Sequence, residues 1–301
     1  MNNITKLKNY FKNNLKENYN IGRLTWFKTT AFAKYFILLN CQDDLVFFLQ
    51  NYPKDMPFYT IGAGSNLLIR DGGINGIVLK FSPKFNHIAL LSEDTIKVTA
   101  SVLDVTVANF AKDNNIGGFE FLVGIPGSIG GAIAMNAGCF NSEIKNILTS
   151  ATAIDYNGNI TIFTNQELSM SYRVCSKATT HIFLEAQFKG FKKQKDEIAL
   201  EMANIKRVKE ANQPKNFTAG STFKNPTGNL KAWQLIENAG LKGYKYNQAE
   251  VSQQHANFLI NKGDANSSDI EHIINHIIAV VLKKTGILLE KEVKILGDNL
   301  K

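Results

Sequence analysis

The first two-thirds of the chain consists of short apolar segments whose side chains alternate with polar ones, a pattern typical of β-strands. Asn157-Gly158 separates two of these segments and predicts a hairpin, because this dipeptide favours a tight turn. Helical spacing interrupts the pattern at LDVTVANFAKDN (103–114) and in a short stretch before Tyr172. The predicted strands are FYTIGAG at 58–64, INGIVLKF at 74–81, TIKVTA at 95–100, ILTSATAIDY at 147–156 and ITIF at 160–163.

Helical periodicity replaces this alternation in the last third. LKAWQLIENAG (230–240) predicts a helix that Gly240 ends, and Gln213-Pro214 ends an earlier one. A third helix has a capping box at Ser268 and Glu271 and ends at Gly286. The apolar positions that define the earlier helix are Ile198, Met202, Ile205 and Val208, and those of the third are Ile270, Ile273, Ile274, Ile277, Ile278 and Val281.

The change of pattern at FKGFKKQKDE (188–197) predicts a domain boundary. We therefore expect a polar helical segment over 1–24, a domain with two subdomains over 25–192 and a C-terminal domain over 193–301. The mixture of strands and helices predicts the α+β class.

Near the C-terminus, LLEKEVKIL (288–296) alternates in the same way and predicts a strand. Its two carboxylates, Glu290 and Glu292, fall on the polar face, opposite Ile287, Leu289, Val293 and Ile295. The alternation does not distinguish a solvated glutamate from a functional one.

Composition narrows the function classes. The 301 residues carry a net charge of +8, but only four of the 34 basic residues are arginines. Nucleic-acid binders commonly contact bases and phosphates through arginine guanidinium groups, so this composition argues against nucleic-acid binding. The three cysteines form no CxxC pair, so we expect neither a metal site nor disulfides, and a reducing cytoplasm. No apolar run reaches the length of a membrane span.

Two glycine-rich segments stand out, which we call the first ribbon (IGAGSNLLIRDGG, 61–73) and the second ribbon (GIPGSIGGAIAMNAG, 124–138). Neither matches a GxGxxG fingerprint before a helix or a P-loop. Each one alone is explained by a structural turn. Together, with Ser65, Asn66 and Ser128 as donors, they favour a nest of main-chain N–H groups around a pyrophosphate.

IGAGSNLL and GFEFLVGIPGSIGGAIAMNAG resemble the two flavin-contacting segments of the UDP-N-acetylenolpyruvoylglucosamine reductases. The resemblance extends over about residues 25–297 and implies the compact branch, without a tyrosine-bearing insertion. It implies a vanillyl-alcohol-oxidase-type FAD-binding fold followed by a smaller α+β substrate-binding domain. The further motifs, in order, are SYR (171–173), AGSTFKNP (219–226), AWQLIENAGLKG (232–243), VSQQHANFLIN (251–261) and LLEKEVKILG (288–297).

The resemblance implies NADPH-dependent, FAD-mediated reduction of UDP-N-acetylglucosamine enolpyruvate to UDP-N-acetylmuramate, a step of peptidoglycan precursor synthesis. FAD would be held non-covalently, and the protein would be a cytoplasmic monomer that needs no metal, nucleic acid or membrane. Two other functions stay open, namely another FAD-dependent sugar or alcohol oxidoreductase and a non-catalytic nucleotide-sugar binding protein.

The same resemblance implies site residues. Ser221 would donate a proton, Arg173 would face a carboxylate or enolate, and Glu292 rather than Glu290 would be catalytic. Substrate contacts would come from Tyr172, Lys224, Asn225 and His255. Cofactor contacts would come from Gly62, Ala63, Gly64, Ser65, Asn66 and Leu67 of the first ribbon, and from Gly124, Ile125, Pro126, Gly127, Ser128, Gly130, Gly131, Ala132, Asn136, Ala137 and Gly138 of the second.

Overall fold

The computed structural model describes residues 3–300 and mixes helices with strands along its whole length, which confirms the α+β class. No helix in this described part is both long and apolar enough to cross a membrane. The helices are α1 (Asn3–Phe11), α2 (Gln42–Asn51), α3 (Asp104–Asp113), α4 (Ile129–Ala134), α5 (Ile144–Ile147), α6 (Lys195–Asn212), α7 (Ala232–Asn238) and α8 (Ser267–Thr285).

The strands are short, and many have only two or three residues. They are β1 (Leu15–Asn20), β2 (Phe32–Leu39), β3 (Phe58–Thr60), β4 (Leu67–Ile69), β5 (Ile74–Phe81), β6 (Ile88–Leu90), β7 (Thr95–Thr99), β8 (Ile116–Gly117), β9 (Gly138–Cys139), β10 (Ser142–Glu143), β11 (Leu148–Asp155), β12 (Ile160–Thr164), β13 (His181–Lys189), β14 (Phe191–Lys192), β15 (Lys245–Tyr246), β16 (Ala249–Val251), β17 (Leu259–Asn261) and β18 (Lys294–Leu296).

The chain forms two compact units, each built from separate segments. Unit 1 contains the residues up to Lys16 together with Ile37–Ala63 and Val78–Lys209. Unit 2 contains Glu17–Phe36, Gly64–Ile77 and the chain from Glu210 onward. The units therefore differ from a continuous division at 24/25 and 192/193, whose domain limits stay a prediction.

Unit 1 is organised around a five-stranded antiparallel sheet with the order β12-β11-β13-β7-β6. The predicted hairpin at Asn157-Gly158 is confirmed, since β11 and β12 pair from Ser150↔Thr164 to Ile154↔Ile160. Helix α4, which lies within the second ribbon, packs against β7 and β13. The sheet thus supports the α4 part of the second ribbon.

Unit 2 packs helix α8 against β15 and β16 of a three-stranded sheet with the order β15-β16-β17. The predicted stripe of α8 is core: Ile270, Ile273, Ile274, Ile277 and Val281 are 0% exposed, whereas Ile278 is only partly buried. Gly286 ends the helix with φ +70°, as expected of a left-handed cap.

Unit 2 also joins the end of the chain to the first ribbon. Strand β18 pairs in parallel with β4, from Lys294↔Leu67 to Leu296↔Ile69. Because Glu292 lies two residues before β18, this pairing places it beside the ribbon residues that precede β4.

The structure corrects three local predictions. The capping box of α8 is formed by Asn266 and Asp269, because the helix begins at Ser267; the main-chain N–H of Asn266 donates to Asp269 Oδ2 at 3.0 Å. The stretch before Tyr172 is a run of turns rather than a helix. Of LLEKEVKIL, only Lys294–Leu296 is a strand. The residues before it are irregular, although Leu289 and Val293 are buried as the alternation predicts.

Candidate active site

The second ribbon passes through a 3₁₀ turn into helix α4, with Ser128 at the N-cap position. The first two N–H groups of the helix donate to Val102 O at 3.0 Å and Ala100 O at 2.8 Å. The Ser128 hydroxyl does not cap the helix and is buried without a hydrogen-bond partner. It borders a cavity of about 190 Å³ that Gly62, Gly130 and Gly131 also line.

The absence of a side chain serves different purposes at the three glycines that border this cavity. A Cβ added at Gly131 would meet nothing closer than Ser128 Oγ at 4.0 Å, so this position opens toward the cavity. At Gly62 the Cβ would lie 2.6 Å from Ser128 Oγ, and at Gly130 it would lie 2.9 Å from Ala100 Cβ. Most of these glycines therefore permit close packing of the chain on itself, and Gly131 leaves room for a ligand.

Aromatic residues form another part of the cavity wall. They are Phe58, Tyr59, Phe81, Tyr156 and Phe183, all in unit 1. A space lined by glycines, an unpartnered hydroxyl and aromatic rings suits a nucleotide, whose base stacks on aromatic groups and whose phosphates take N–H and O–H donors.

Two half-buried lysines that the sequence analysis missed lie against the ribbons. Lys80 Nζ donates to the Gly62 carbonyl, and Lys209 Nζ donates to the Gly124 carbonyl. Burial lowers the pKa of both ammonium groups, and neither forms an ion pair with any residue of 3–300. Sequence offers no signal for them, because lysines are mostly exposed and nothing in the local pattern distinguishes these two.

The carboxyl group of Asp104, at the start of α3, lies against the second ribbon. A Cβ added at Gly127 would be 2.5 Å from Asp104 Oδ2, and both carboxyl oxygens are buried without a partner. Complete burial raises the pKa of Asp104 well above its usual value and so favours the uncharged form of this carboxyl group.

The cysteines near the second ribbon are packing groups. Burial raises the pKa of Cys139 to about 11, and its thiol donates to Phe121 O at 3.2 Å. Cys175 is 4% exposed, and its thiol lies 3.8 Å from Leu168 O. Both thiols are protonated at neutral pH and act as small apolar side chains.

In unit 2, a short ladder of hydrogen bonds joins the segment 221–224 to the segment 290–292. The N–H of Glu292 donates to Thr222 O at 2.8 Å, and the N–H of Lys224 donates to Glu290 O at 2.9 Å. The carbonyl of Glu292 accepts from Asn66 Nδ2 at 3.0 Å. The ladder thus brings Glu292 together with Thr222, the residue after Ser221, and with Asn66 of the first ribbon.

The ladder separates the two glutamates that the sequence could not. Glu290 has a side chain that is 72% exposed and pairs with Lys224 Nζ at 3.1 Å, as a solvated surface carboxylate does. Glu292 is half-buried, and its main chain is held on both sides. The two glutamates thus differ in exposure, and the catalytic role of Glu292 stays a prediction.

Arg173 is held by the end of the second ribbon in unit 1. Its Nη2 donates to Gly138 O at 3.0 Å, and its backbone has φ +58°, in a tight turn that the Ser171↔Val174 bridge closes. Its guanidinium lies 5.2 Å from the ring centre of Tyr172, which is exposed. A non-glycine residue at positive φ is uncommon and is often found at functional sites.

Asn136 ties the same turn to the second ribbon. It is completely buried, and its amide donates to Ser171 O at 3.0 Å and Glu143 Oε2 at 2.9 Å, while its oxygen accepts from Lys145 N. The amide is fully occupied by protein groups, so its visible contribution is to position the ribbon and the SYR turn.

The remaining predicted substrate contacts cluster near helix α7 in unit 2. Asn225 Oδ1 accepts from Ala232 N at 3.1 Å, at the start of α7. His255 is half-buried between Trp233 and Phe258, with ring centres 6.2 and 4.7 Å away. Burial lowers the pKa of His255, so at neutral pH it would recognise a ligand through hydrogen bonds rather than charge.

No group of three or more potential metal-ligating His, Cys, Asp or Glu side chains occurs within residues 3–300.

Comparison with family models gives two matched regions of the chain. Residues 33–164 match a model of an FAD binding domain, and residues 213–296 match the C-terminal domain of UDP-N-acetylenolpyruvoylglucosamine reductase. The reductases of Rickettsia canadensis and Rickettsia conorii are each 43% identical over 287 residues, covering 95% of this chain and 97% of theirs. The crystal structure of the Thermus caldophilus reductase superposes with a TM-score of 0.81 at 28% identity, covering 92% of this chain and 97% of that one.

Proposed function

Because the chain belongs to the UDP-N-acetylenolpyruvoylglucosamine reductase family, we propose that Ser221, Arg173 and Glu292 are the catalytic residues of that reaction. The protein is an FAD-dependent oxidoreductase that uses NADPH to reduce UDP-N-acetylglucosamine enolpyruvate to UDP-N-acetylmuramate for peptidoglycan synthesis. The expected order of an FAD-binding domain and a substrate-binding domain is confirmed by the two matched regions.

The residues present fit FAD. When bound, FAD would supply the hydride chemistry that links NADPH to the methylene carbon of the enolpyruvyl group. The unpartnered Ser128 hydroxyl and ribbon N–H groups other than those of Ile129 and Gly130, which donate to Val102 O and Ala100 O, would hold its diphosphate in the space beside Gly131. The aromatic wall of the 190 Å³ cavity would take the adenine, because a ring stacks there without needing a charged partner.

Arg173 would stabilise the negative charge that reduction leaves on the substrate. That charge is shared between the carbon beside the carboxylate and the carboxylate itself, so a planar guanidinium can hold it with two parallel hydrogen bonds. The bond from Arg173 to Gly138 O fixes the side chain in advance, which avoids reorganisation during the reaction.

Ser221 would donate the proton that completes the reduction, and Glu292 would orient that proton transfer. A hydroxyl is a weak acid, so it needs a fixed position and a neighbouring group that assists the transfer. The observation that supports this role is the hydrogen-bond ladder from Thr222 to Glu292, which places Ser221 and Glu292 on adjacent segments. Tyr172, Lys224, Asn225 and His255 would bind the nucleotide and sugar of the substrate.

The proposal also covers the compartment and the oligomeric state of the enzyme. We place the enzyme in the cytoplasm, where NADPH and UDP-sugars are kept and where its three cysteines stay unpaired. We also propose that it acts as a monomer, which analytical ultracentrifugation of the flavin-loaded protein tests; a dimer at micromolar concentration would contradict it.

The decisive experiment is anaerobic stopped-flow mixing. The purified protein should be yellow, NADPH should bleach the flavin, and UDP-N-acetylglucosamine enolpyruvate should restore the oxidised spectrum. Another sugar or alcohol oxidoreductase would be reduced without being reoxidised by this substrate. A non-catalytic binding protein would bind the UDP-sugar and show neither change.

A further inference from the structure

The ammonium group of Lys80 lies in unit 1 behind the first ribbon. Lys80 is part of strand β5, and its Nζ donates to the Gly62 carbonyl. An ammonium has three N–H donors, and Lys80 has no further partner among the described residues. One positive charge with two unused donors is therefore held at the ribbon.

A small cavity of about 60 Å³ adjoins Lys80, and Ser101 and Ser128 also line it. The hydroxyl oxygens of both serines are buried and have no hydrogen-bond partner. Ser128 is only 4% exposed. No acidic residue lines this space, so its polar groups are two hydroxyls and one cation.

This small cavity shares part of its wall with the larger aromatic cavity. The residues that line both are Ile61, Gly62, Phe81, Ala100 and Ser128. A pocket for an anion next to a pocket for a ring is the arrangement that a nucleotide requires.

A purely structural role for Lys80 explains only part of these observations. Fixing the Gly62 carbonyl needs one neutral donor, and it explains neither the retained charge nor the two idle hydroxyls. Leaving buried polar groups and a partly desolvated cation without partners is unfavourable, so the arrangement is explained best if a ligand supplies the missing acceptors.

We propose that Lys80, Ser101 and Ser128 form a subsite for one phosphate of the FAD diphosphate, with Lys80 as its counter-ion. This inference rests on the proposed function, because it takes FAD as the ligand, and it adds Lys80 and Ser101 to the residues that the sequence implied. Phosphate oxygens would accept from the two free N–H groups and from both hydroxyls, which completes every unused donor of the subsite.

The test uses the full-length protein, stripped of flavin and titrated with FAD while protein fluorescence is followed. Lys80→Met removes the charge and the donor, whereas Lys80→Gln removes the charge and shortens the side chain but keeps an N–H donor. Both should raise the dissociation constant for FAD about 10- to 100-fold, the effect of one lost charge-assisted hydrogen bond. Ser101→Ala should raise it by roughly 3- to 10-fold. The matched control is Lys84→Met, an exposed lysine nearby, which should leave the constant unchanged.

The visible spectrum of the bound flavin provides the second readout. A phosphate subsite leaves the flavin ring environment intact, so all variants should show the wild-type spectrum at saturating FAD. Wild-type affinity in Lys80→Gln would overturn the proposal, since the charge would then be irrelevant. An altered flavin spectrum with weakened binding would also overturn it, in favour of a role in shaping the ribbon. If Lys80→Met does not fold, Lys80→Gln and Ser101→Ala still decide. Failure of the wild-type protein to bind FAD would instead refute the proposed function.

Discussion

At the scale of single residues, Glu290 and Glu292 show how position decides the role of chemically identical groups. Glu292→Gln should slow reoxidation of the reduced flavin by the substrate at least roughly 100-fold, the lower end for a group that assists proton transfer. The control Glu290→Gln loses only the exposed pair with Lys224 and should react at nearly the wild-type rate. Stopped-flow absorbance at the flavin band measures both, and equal losses would reverse the assignment.

Ser221 separates the two half-reactions. Ser221→Ala removes the proposed proton donor and leaves both ribbons intact, so NADPH should reduce the flavin at nearly the wild-type rate while transfer to the enolpyruvyl sugar collapses. Ser221→Cys should recover part of this second step, since a thiol can also donate a proton. The opposite pattern, a slow NADPH step and a normal second step, would place Ser221 in cofactor handling.

At the scale of elements, helix α4 is the place where flavin binding can be blocked without damage to the fold. Gly131→Glu directs a carboxylate into the open cavity and should abolish flavin binding, because a negative charge would repel the diphosphate. Gly130→Glu is a poorer test, since its Cβ would lie 2.9 Å from that of Ala100. Flavin bound per chain, together with far-UV circular dichroism, measures the outcome. A folded Gly131→Glu variant with full flavin content would contradict the site.

The pair between Arg70 and Glu271 joins β4 to helix α8 inside unit 2. Arg70 donates to both carboxylate oxygens, at 2.7 and 2.9 Å, and these bonds lower the pKa of Glu271. The stabilisation is therefore complete above the pKa of an unfolded glutamate, about 4.3, and is lost as pH falls through the lower folded pKa. Glu271→Gln should cost about 1 kcal/mol at pH 7, discounted because Arg70 is one-third exposed, and less at pH 3, where protonation of the carboxylate has begun to remove the pair. Urea unfolding at both pH values measures the difference, and a pH-independent loss would contradict the argument.

Regular elements were predictable where one periodicity covers many residues. The stripe of α8 and the hairpin at Asn157-Gly158 follow directly from apolar spacing and turn chemistry. The cap of α8 was not, because Asn266 with Asp269 and Ser268 with Glu271 both fit the spacing of a capping box. Only the partner of Glu271, Arg70, shows which carboxylate is free to cap, and that partner lies 201 residues away in sequence.

The site was predictable in its motifs but not in its contacts. The ribbons and the pair of glutamates stand out in the sequence, whereas the roles of Ser221, Arg173 and Glu292 come only from the family resemblance. Lys80 and Lys209 do not, since their placement depends on which carbonyl each one reaches in the folded chain. The reason for each glycine is also hidden, because the neighbour that a Cβ would meet comes from elsewhere in the sequence.

At the scale of the whole molecule, flavin binding and stability are linked. Any ligand that binds only the folded chain raises the free energy of unfolding, by about 2.7 kcal/mol at a free concentration of 100 times its dissociation constant. For a chain of 301 residues, such a gain corresponds to a rise of roughly 4 °C in the unfolding temperature. Scanning calorimetry of the flavin-stripped protein with and without FAD measures the shift. Gly131→Glu, which is expected to fold without binding flavin, should show no shift under the same conditions, and a shift equal to that of the wild type would mean that FAD binds somewhere other than the ribbons.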